Sequence, residues 1–134
     1  VCKFYKNPAS PLKEMQSCQK SLASLVGEET ALIRVPFGSV PLLTAAQKKE
    51  LDKGNFILWD WNVDSQDWKR KNAKKMTASV LNQVHAIKEK GEIPVILFHD
   101  KEITKNALPD IIDGLIDMGF TFRAISPDDI PVQF

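Results

Sequence analysis

Apolar residues recur along this chain in two rhythms, and the changes from one to the other mark its elements. Leu12, Met15, Cys18, Leu22 and Leu25 fall on one side of a 3.6-residue period, which predicts a helix from about Pro11 to Val26. Ser10 stands as its cap, Pro11 suits its first turn and Gly27 its stop. A second helix is predicted from Thr44, as cap, to about Lys53, with Gly54 behind it. The third helix has Asn72 as cap, then Met76, Val80, Leu81, Val84 and Ile87 along one stripe, and Gly91 beyond its end. A fourth is predicted over residues 108–118, with Pro109 in its first turn and Gly119 after its last. Between the helices lie short apolar runs at 31–35, 56–63, 94–98 and 120–125, each read as a strand. Residues 1–5 are a short apolar-leaning lead-in, and the tail 126–134, with two prolines, reads as extended.

Strand and helix therefore alternate from Pro11 onward. That order predicts an α/β fold of parallel strands joined by right-handed helical crossovers. Four strands suffice for a small open sheet or for half a barrel, and the pattern does not choose between them. At 134 residues the chain has room for one domain with a sizeable core. Parallel strands share a direction, so the segments that leave them share a rim. The exits are Arg34-Val-Pro-Phe-Gly38, Asp64-Ser-Gln-Asp-Trp68 and His99-Asp100. In α/β sheets and barrels, ligands meet the protein at the carboxyl ends of the strands.

Composition excludes more than it identifies. The 18 basic and 17 acidic residues leave a net charge of +1, which exerts no long-range pull on nucleic acid or on an anionic membrane. The one basic run, Lys69-Arg70-Lys71 with Lys74 and Lys75, reads as a solvated helix face. No apolar stretch approaches the ~20 residues of a membrane span, and no signal peptide or initiator methionine is present. Cys2 and Cys18 are too far apart in sequence for a close metal-binding pair. Cys18 on the apolar side of the first helix predicts a buried free thiol, with a Cys2–Cys18 disulfide as the alternative in an exported protein.

The rim carries a coherent set of groups. A carboxylate on one histidine nitrogen fixes the ring and favours the imidazolium. The other nitrogen then donates a proton to a leaving group. A tryptophan beside it offers a flat apolar wall for a sugar ring, and a Pro-x-Gly turn exposes backbone N–H groups to a developing oxyanion.

These segments resemble, in order and in spacing, the last three signature motifs of the NodB-homology polysaccharide deacetylases, carbohydrate esterase family four. Arg34-x-Pro36-x-Gly38 is similar to the family's Arg-x-Pro motif, Asp64-Ser-x-Asp67-Trp68 to its Asp-Ser/Thr-x-Asp-Trp motif, and Leu97-x-His99 to its Leu-x-His motif. The stretch from Ala107 to Ile112 and then Gly119-Phe-Thr-Phe resembles the closing helix and strand. The resemblance covers nearly the whole chain. It implies part of a deformed (β/α) barrel that removes acetyl groups from N-acetylated amino sugars with a divalent metal, Zn or Co. Carried over residue by residue, it makes His99 the general acid, Asp67 the group that orients His99, and Arg34 the residue that positions a catalytic carboxylate of an earlier motif. Trp68 and Leu97 would line the groove and the acetyl pocket. The backbone N–H of Phe37, where the family usually has tyrosine, would help hold the oxyanion.

The family's first two motifs supply an aspartate pair and two histidines four residues apart, and neither has a counterpart in this sequence. The histidines are His85, read as a structural residue of the third helix, and His99. Asp60, Asp64 and Asp100 are oxygen donors, whereas catalytic zinc sites generally include histidine or cysteine. The expectation is a single partial domain, residues 1–134, that lacks the first strands of the barrel, binds no metal and does not deacetylate alone. The partner expected is an N-acetylated polysaccharide outside the membrane, in an extracellular or cell-wall setting, with no nucleic acid. Self-association through exposed sheet edges is expected as well. The competing readings are a non-catalytic carbohydrate-binding or structural module that has lost its metal site, and an unrelated open α/β domain.

Overall fold

The computed structural model describes residues 3–134 and divides into two units. One comprises residues up to 60 together with 125–134, the other residues 61–124.

The first unit holds α1 (Ser10–Val26), β1 (Leu32–Ile33), α2 (Ala45–Lys53) and β2 (Ile57–Leu58). β1 and β2 pair in parallel, Leu32 opposite Ile57 and Ile33 opposite Leu58. Val35, Leu51, Phe56 and Leu58 form the core, with Phe4, Leu12, Met15, Ile33 and Leu43 packed on it. Thr44 caps α2 as its position predicts. Its Oγ1 accepts from the Gln47 backbone N–H, and the Gln47 side chain accepts from the Thr44 N–H, a reciprocal capping box. The Gln47 amide also donates to the carbonyls of Tyr5 and Asn7, 3.2 Å each, which ties the first residues to α2.

α1 ends at Val26 with Gly27 as its stop, as expected, but differs from expectation at its start and along its stripe. Ser10 is already helical and Ala9 is the N-cap, without a side-chain bond. Only the first half of the apolar stripe is covered. Leu22 is 45% and Leu25 81% exposed, and Cys18 is an exposed free thiol rather than a buried one. Its proposed disulfide partner, Cys2, lies outside the described residues.

The second unit holds β3 (Val63–Asp64), α3 (Ala73–Glu89), β4 (Ile96–Leu97) and α4 (Glu102–Asp117). β3 and β4 are parallel, Val63 opposite Ile96 and Asp64 opposite Leu97. Met76, Val80, Val84 and Ile87 of α3 pack with Val63 and with Ala107, Ile111 and Leu115 of α4. The helices approach closely because Gly114 has no side chain. A Cβ there would stand 2.6 Å from a Leu81 methyl.

Three boundaries differ from the apolar pattern, each for a definable reason. The run 56–63 is two strands, because the backbone changes partners within it. Trp59 N–H donates to Ile33 O and Asp60 N–H to Val132 O, whereas Asn62 and Val63 N–H both donate to Val95 O. Secondly, α4 begins at Glu102 and runs through Pro109. The proline costs an interior helix about 3 kcal/mol or more, and the burial of Thr104, Ala107, Ile111 and Leu115 on one face offsets it. Thirdly, no ladder forms at 120–125, where residues 121–125 are exposed. The tail instead joins the first unit. Besides the Val132 bond, the Gln133 amide donates to Leu58 O at 2.9 Å and the Phe134 N–H to Asp60 Oδ2 at 3.0 Å.

Candidate active site

Because β3 and β4 run parallel, the segments that leave them emerge at the same end of that pair. β3 ends at Asp64 and opens into a tight loop. Asp64 Oδ1 accepts from the Gln66 N–H at 2.8 Å, and Ser65 Oγ accepts from the Asp67 N–H at 3.3 Å, the local side-chain turns such residues favour. Gln66 adopts a positive φ of 54°. Side chains from beyond the loop lock it. Arg70 donates from Nε to Ser65 O and from Nη2 to the Gln66 and Ser79 side chains. Gln83 of α3 accepts from the Asp64 N–H and donates to the Asp64 carbonyl.

This loop delivers the Asp67 carboxylate to His99, two residues past β4. Asp67 Oδ1 lies 2.6 Å from His99 Nδ1. Its Oδ2 accepts from the His99 backbone N–H at 2.6 Å and from the Thr104 hydroxyl at 2.6 Å. The carboxylate is fully buried, while the His99 side chain is 35% exposed. Burial pushes the Asp67 pKa up, but the bonds from Thr104 and from the His99 ring and backbone outweigh it and hold the pKa below the ordinary value of 3.8. The carboxyl group is thus ionised at neutral pH. A neutral imidazole facing it carries its proton on Nδ1, which leaves Nε2 as the free ring nitrogen.

The other residues singled out in the sequence have varied settings. Trp68 follows the buried aspartate and is 58% exposed, and the Lys69 ammonium sits 5.0 Å from the ring centre. Leu97 is a β4 residue, 8% exposed. Arg34 and Phe37 belong to the first unit, both exposed, on the segment that leaves β1. Phe37 and Gly38 have φ values of 67° and 82°. This turn is held at each end. Tyr5 donates its hydroxyl to Pro36 O at 2.5 Å. Asp60, 2% exposed, accepts from the Ser39 N–H at 2.9 Å and from the Ser39 hydroxyl at 2.6 Å. Burial, and after it the charge of Asp60, push the Tyr5 hydroxyl above its ordinary 10.0.

Sequence reading missed Thr104 beside Asp67 and, in the first unit, Tyr5 on the Phe37 turn, and it took Asp60 only as an oxygen donor, not as the anchor of that turn. Thr104 follows His99 by five residues, ahead of the helix predicted from residue 108, and only an earlier start for α4 would have revealed it. Among the described residues, no group of three or more His, Cys, Asp or Glu side chains can hold a metal ion. His85 is exposed on α3, Asp67 is committed to His99 and Thr104, and Asp60 to Ser39 and Phe134. The residues present do not fit the metal that the family resemblance implies.

The Thr104 bond has a thermodynamic consequence. A depressed Asp67 pKa stabilises the fold above the ordinary 3.8, and that contribution is lost as pH falls through the depressed value. Thr104→Val removes one of the lowering bonds at nearly constant shape. It is expected to cost about 1.5–3 kcal/mol at pH 7, the range for a hydrogen bond to a charged group, and less once Asp67 is protonated. Urea unfolding at pH 7 and near pH 3 measures both, and an equal cost at the two pH values would contradict the assignment.

No protein-family model matches the chain. It is 43% identical over 132 residues to YheN of Bacillus subtilis, named as a polysaccharide deacetylase, a match over 97% of this chain and 46% of that protein. It is 33% identical over 136 residues to the peptidoglycan-N-acetylglucosamine deacetylase of Bacillus cereus, over 98% and 49% respectively. The chain thus spans about half the length of these relatives. The crystal structure of the polysaccharide deacetylase Bc1974 from Bacillus cereus superimposes with a TM-score of 0.84 at 32% identity, over 99% of this chain and 66% of that one. The short parallel strands and their helices therefore correspond to part of a deformed (β/α) barrel. The chain's relatives and structural neighbours are polysaccharide deacetylases of carbohydrate esterase family 4, and in sequence and in fold it matches part of such a NodB-type domain.

Proposed function

We propose that this chain carries the proton-donating part of a site that removes acetyl groups from N-acetylated amino sugars of a polysaccharide, at or outside the cell wall. The observation that carries the reading is the 2.6 Å contact between His99 Nδ1 and Asp67 Oδ1, with the acid buried and the ring partly open to solvent. The name of one relative, a peptidoglycan-N-acetylglucosamine deacetylase, supports the class of polymer.

Amide hydrolysis adds water to the acetyl carbon and then expels an amine. The amide nitrogen is a poor leaving group until it is protonated. As an imidazolium, His99 keeps Nδ1–H on Asp67 and gives its Nε2 proton to that nitrogen. The C–N electron pair leaves with the nitrogen, and a neutral imidazole remains. Asp67 stays ionised throughout, orients the ring and stabilises its cation. We assign Arg34 to holding the catalytic carboxylate of the intact domain. The backbone N–H of Phe37 goes to the developing oxyanion, and Trp68 and Leu97 go to the sugar groove and acetyl pocket. The divalent ion of the family, Zn or Co, belongs to the same reading for the intact domain, where it would polarise the carbonyl and activate the water. Its ligands are not among these residues, so no step here runs through it. The same shortage favours a second reading, a carbohydrate-binding module that keeps an exposed Trp68.

Given N-acetylglucosamine oligomers with added Zn²⁺ or Co²⁺, the 134-residue chain is expected to release no acetate, and turnover would refute this. The proton-donor role has its own readout. In the neutral state, ¹⁵N NMR is expected to find the His99 proton on Nδ1. In Asp67→Asn, the position that accepts from His99 N–H and Thr104 keeps the amide oxygen, so the NH₂ turns toward Nδ1 and the ring proton moves to Nε2. An unchanged tautomer would sink the assignment. Each ladder has two strands, and among the described residues no third strand joins either, although the side chains of Gln83 and Gln133 occupy part of the β3 and β2 edges. We propose self-association through the edges that remain. Size-exclusion elution is expected to shift with concentration, and a clean monomer at every concentration would count against it.

A further inference from the structure

We propose that residues 68–75 form an anion-reading surface next to the His99–Asp67 pair, and that the glycan taken by this site carries carboxylate or phosphate groups. The inference rests on the deacetylase reading for the sugar and adds the charge of the polymer.

The segregation of charge is the first observation. From Trp68 to Lys88 the sequence holds Lys69, Arg70, Lys71, Lys74, Lys75 and Lys88 and no aspartate or glutamate, although the whole chain has a net charge of only +1. α4, in the same unit, is acidic, with Glu102, Asp110, Asp113 and Asp117 against Lys105. A basic stretch inside a near-neutral chain acts at short range, over a distance set by the Debye length.

The second observation separates the cations by what they do. Arg70 is half-buried and its guanidinium is spent on Ser65, Gln66 and Ser79, so it serves the loop. Lys69, Lys71, Lys74 and Lys75 are exposed. None of their ammonium groups has a carboxylate within salt-bridge distance among the described residues. Lys74 and Lys75 stand in the first turn of α3, which holds no acid. Cations there oppose the helix dipole, so folding gains nothing from their charge.

The third observation gives the ligand its second feature. Trp68 is 58% exposed, with the Lys69 ammonium 5.0 Å from its ring centre. An indole offers a sugar ring a flat apolar face, and ammonium groups that follow it in the chain suit the anionic substituents of the same polymer. Trp68 adjoins Asp67, so the basic segment starts on the loop that holds the proton donor. Of the classes of anionic partner, a glycan uses both the ring and the charges.

The test is binding to the 134-residue chain, followed by the Trp68 indole NMR signal at about 20 mM and about 500 mM NaCl. The probes are chitohexaose, a soluble uncrosslinked peptidoglycan strand with stem-peptide carboxylates, a 6-O-phosphorylated chitohexaose, and phosphatidylglycerol vesicles. At low salt the peptidoglycan strand or the phosphorylated chitohexaose is expected to bind about tenfold tighter than chitohexaose, and the advantage is expected to vanish at high salt. Whichever of the two shows it identifies the anion. Lys71→Gln/Lys74→Gln/Lys75→Gln is expected to abolish the advantage while the chitohexaose Kd stays unchanged, which also reports that the variant is folded. Equal affinity for neutral and anionic polymers, an advantage that survives in the triple variant, or tighter binding to vesicles than to any glycan each overturns the proposal and leaves the deacetylase reading intact. Failure to bind any glycan overturns both.

Discussion

A charge without water is the constraint on which the second unit depends. The Asp67 carboxylate is fully buried. Removing such an ion from solvent costs several kcal/mol unless its oxygens are satisfied. Here all its bonds come from one short stretch of chain, the His99 ring, the His99 N–H and the Thr104 hydroxyl. Each donor requires a separate feature of the fold. The ring and the N–H require β3 and β4 to be parallel neighbours with their ends level. The hydroxyl requires α4 to start by Thr104 and to turn that face inward. The two-residue ladders look slight as sheets, but their register sets the geometry of the acid and the imidazole.

What could be read from sequence follows from how local each determinant is. The α3 stripe, the Thr44 and Asn72 caps and the Gly27 stop are signals contained within a few residues, and the structure has all of them. The meeting of Asp67 and His99 was legible for a different reason: parallel strands put their exits on one rim, so topology did the work of a contact. The elements that were misread depend on partners distant in sequence. Nothing near Trp59 announces that the backbone will change partners before Asn62. Pro109 normally marks a first turn, and only the burial of residues on both sides of it reverses that reading. The stripe of α1 has the right period and lacks a neighbour for its second half, so Cys18 is exposed although the pattern turns it inward. Residues 120–125 have a strand's composition and no ladder to join.

Two buried aspartates show why composition alone does not identify a site. Asp60 and Asp67 are each 2% exposed, and each accepts three hydrogen bonds. The donors of Asp60 are two backbone N–H groups and a serine hydroxyl, none of which titrates near neutral pH, so its charge fixes geometry. It holds Ser39 and the terminal Phe134 and, through Ser39, the turn in which Phe37 keeps a left-handed backbone. Such a conformation costs a residue other than glycine about 1–2 kcal/mol, and the anchors at Tyr5 and Asp60 maintain it. One donor of Asp67 is an imidazole with its far side open. That single difference turns a structural carboxylate into one that can steer a proton.

The same accounting separates two halves of amide hydrolysis that are usually treated as one. Under the proposed reading, expelling the amine needs a proton donor of fixed orientation, and the bonds among Asp67, His99 and Thr104 give the His99 ring such an orientation. Activating water and polarising a carbonyl need ligands with free lone pairs gathered at one point. Asp60 and Asp67 direct their oxygens to donors within their own units, Asp64 turns one oxygen back on its own loop, and His99 has its Nδ1 engaged. The bonds that make the acid half rigid are thus the ones that remove its oxygens from any coordination shell. Rigidity at Asp67 and metal affinity compete for the same lone pairs, so a domain that performs both steps must draw its metal ligands from residues other than these.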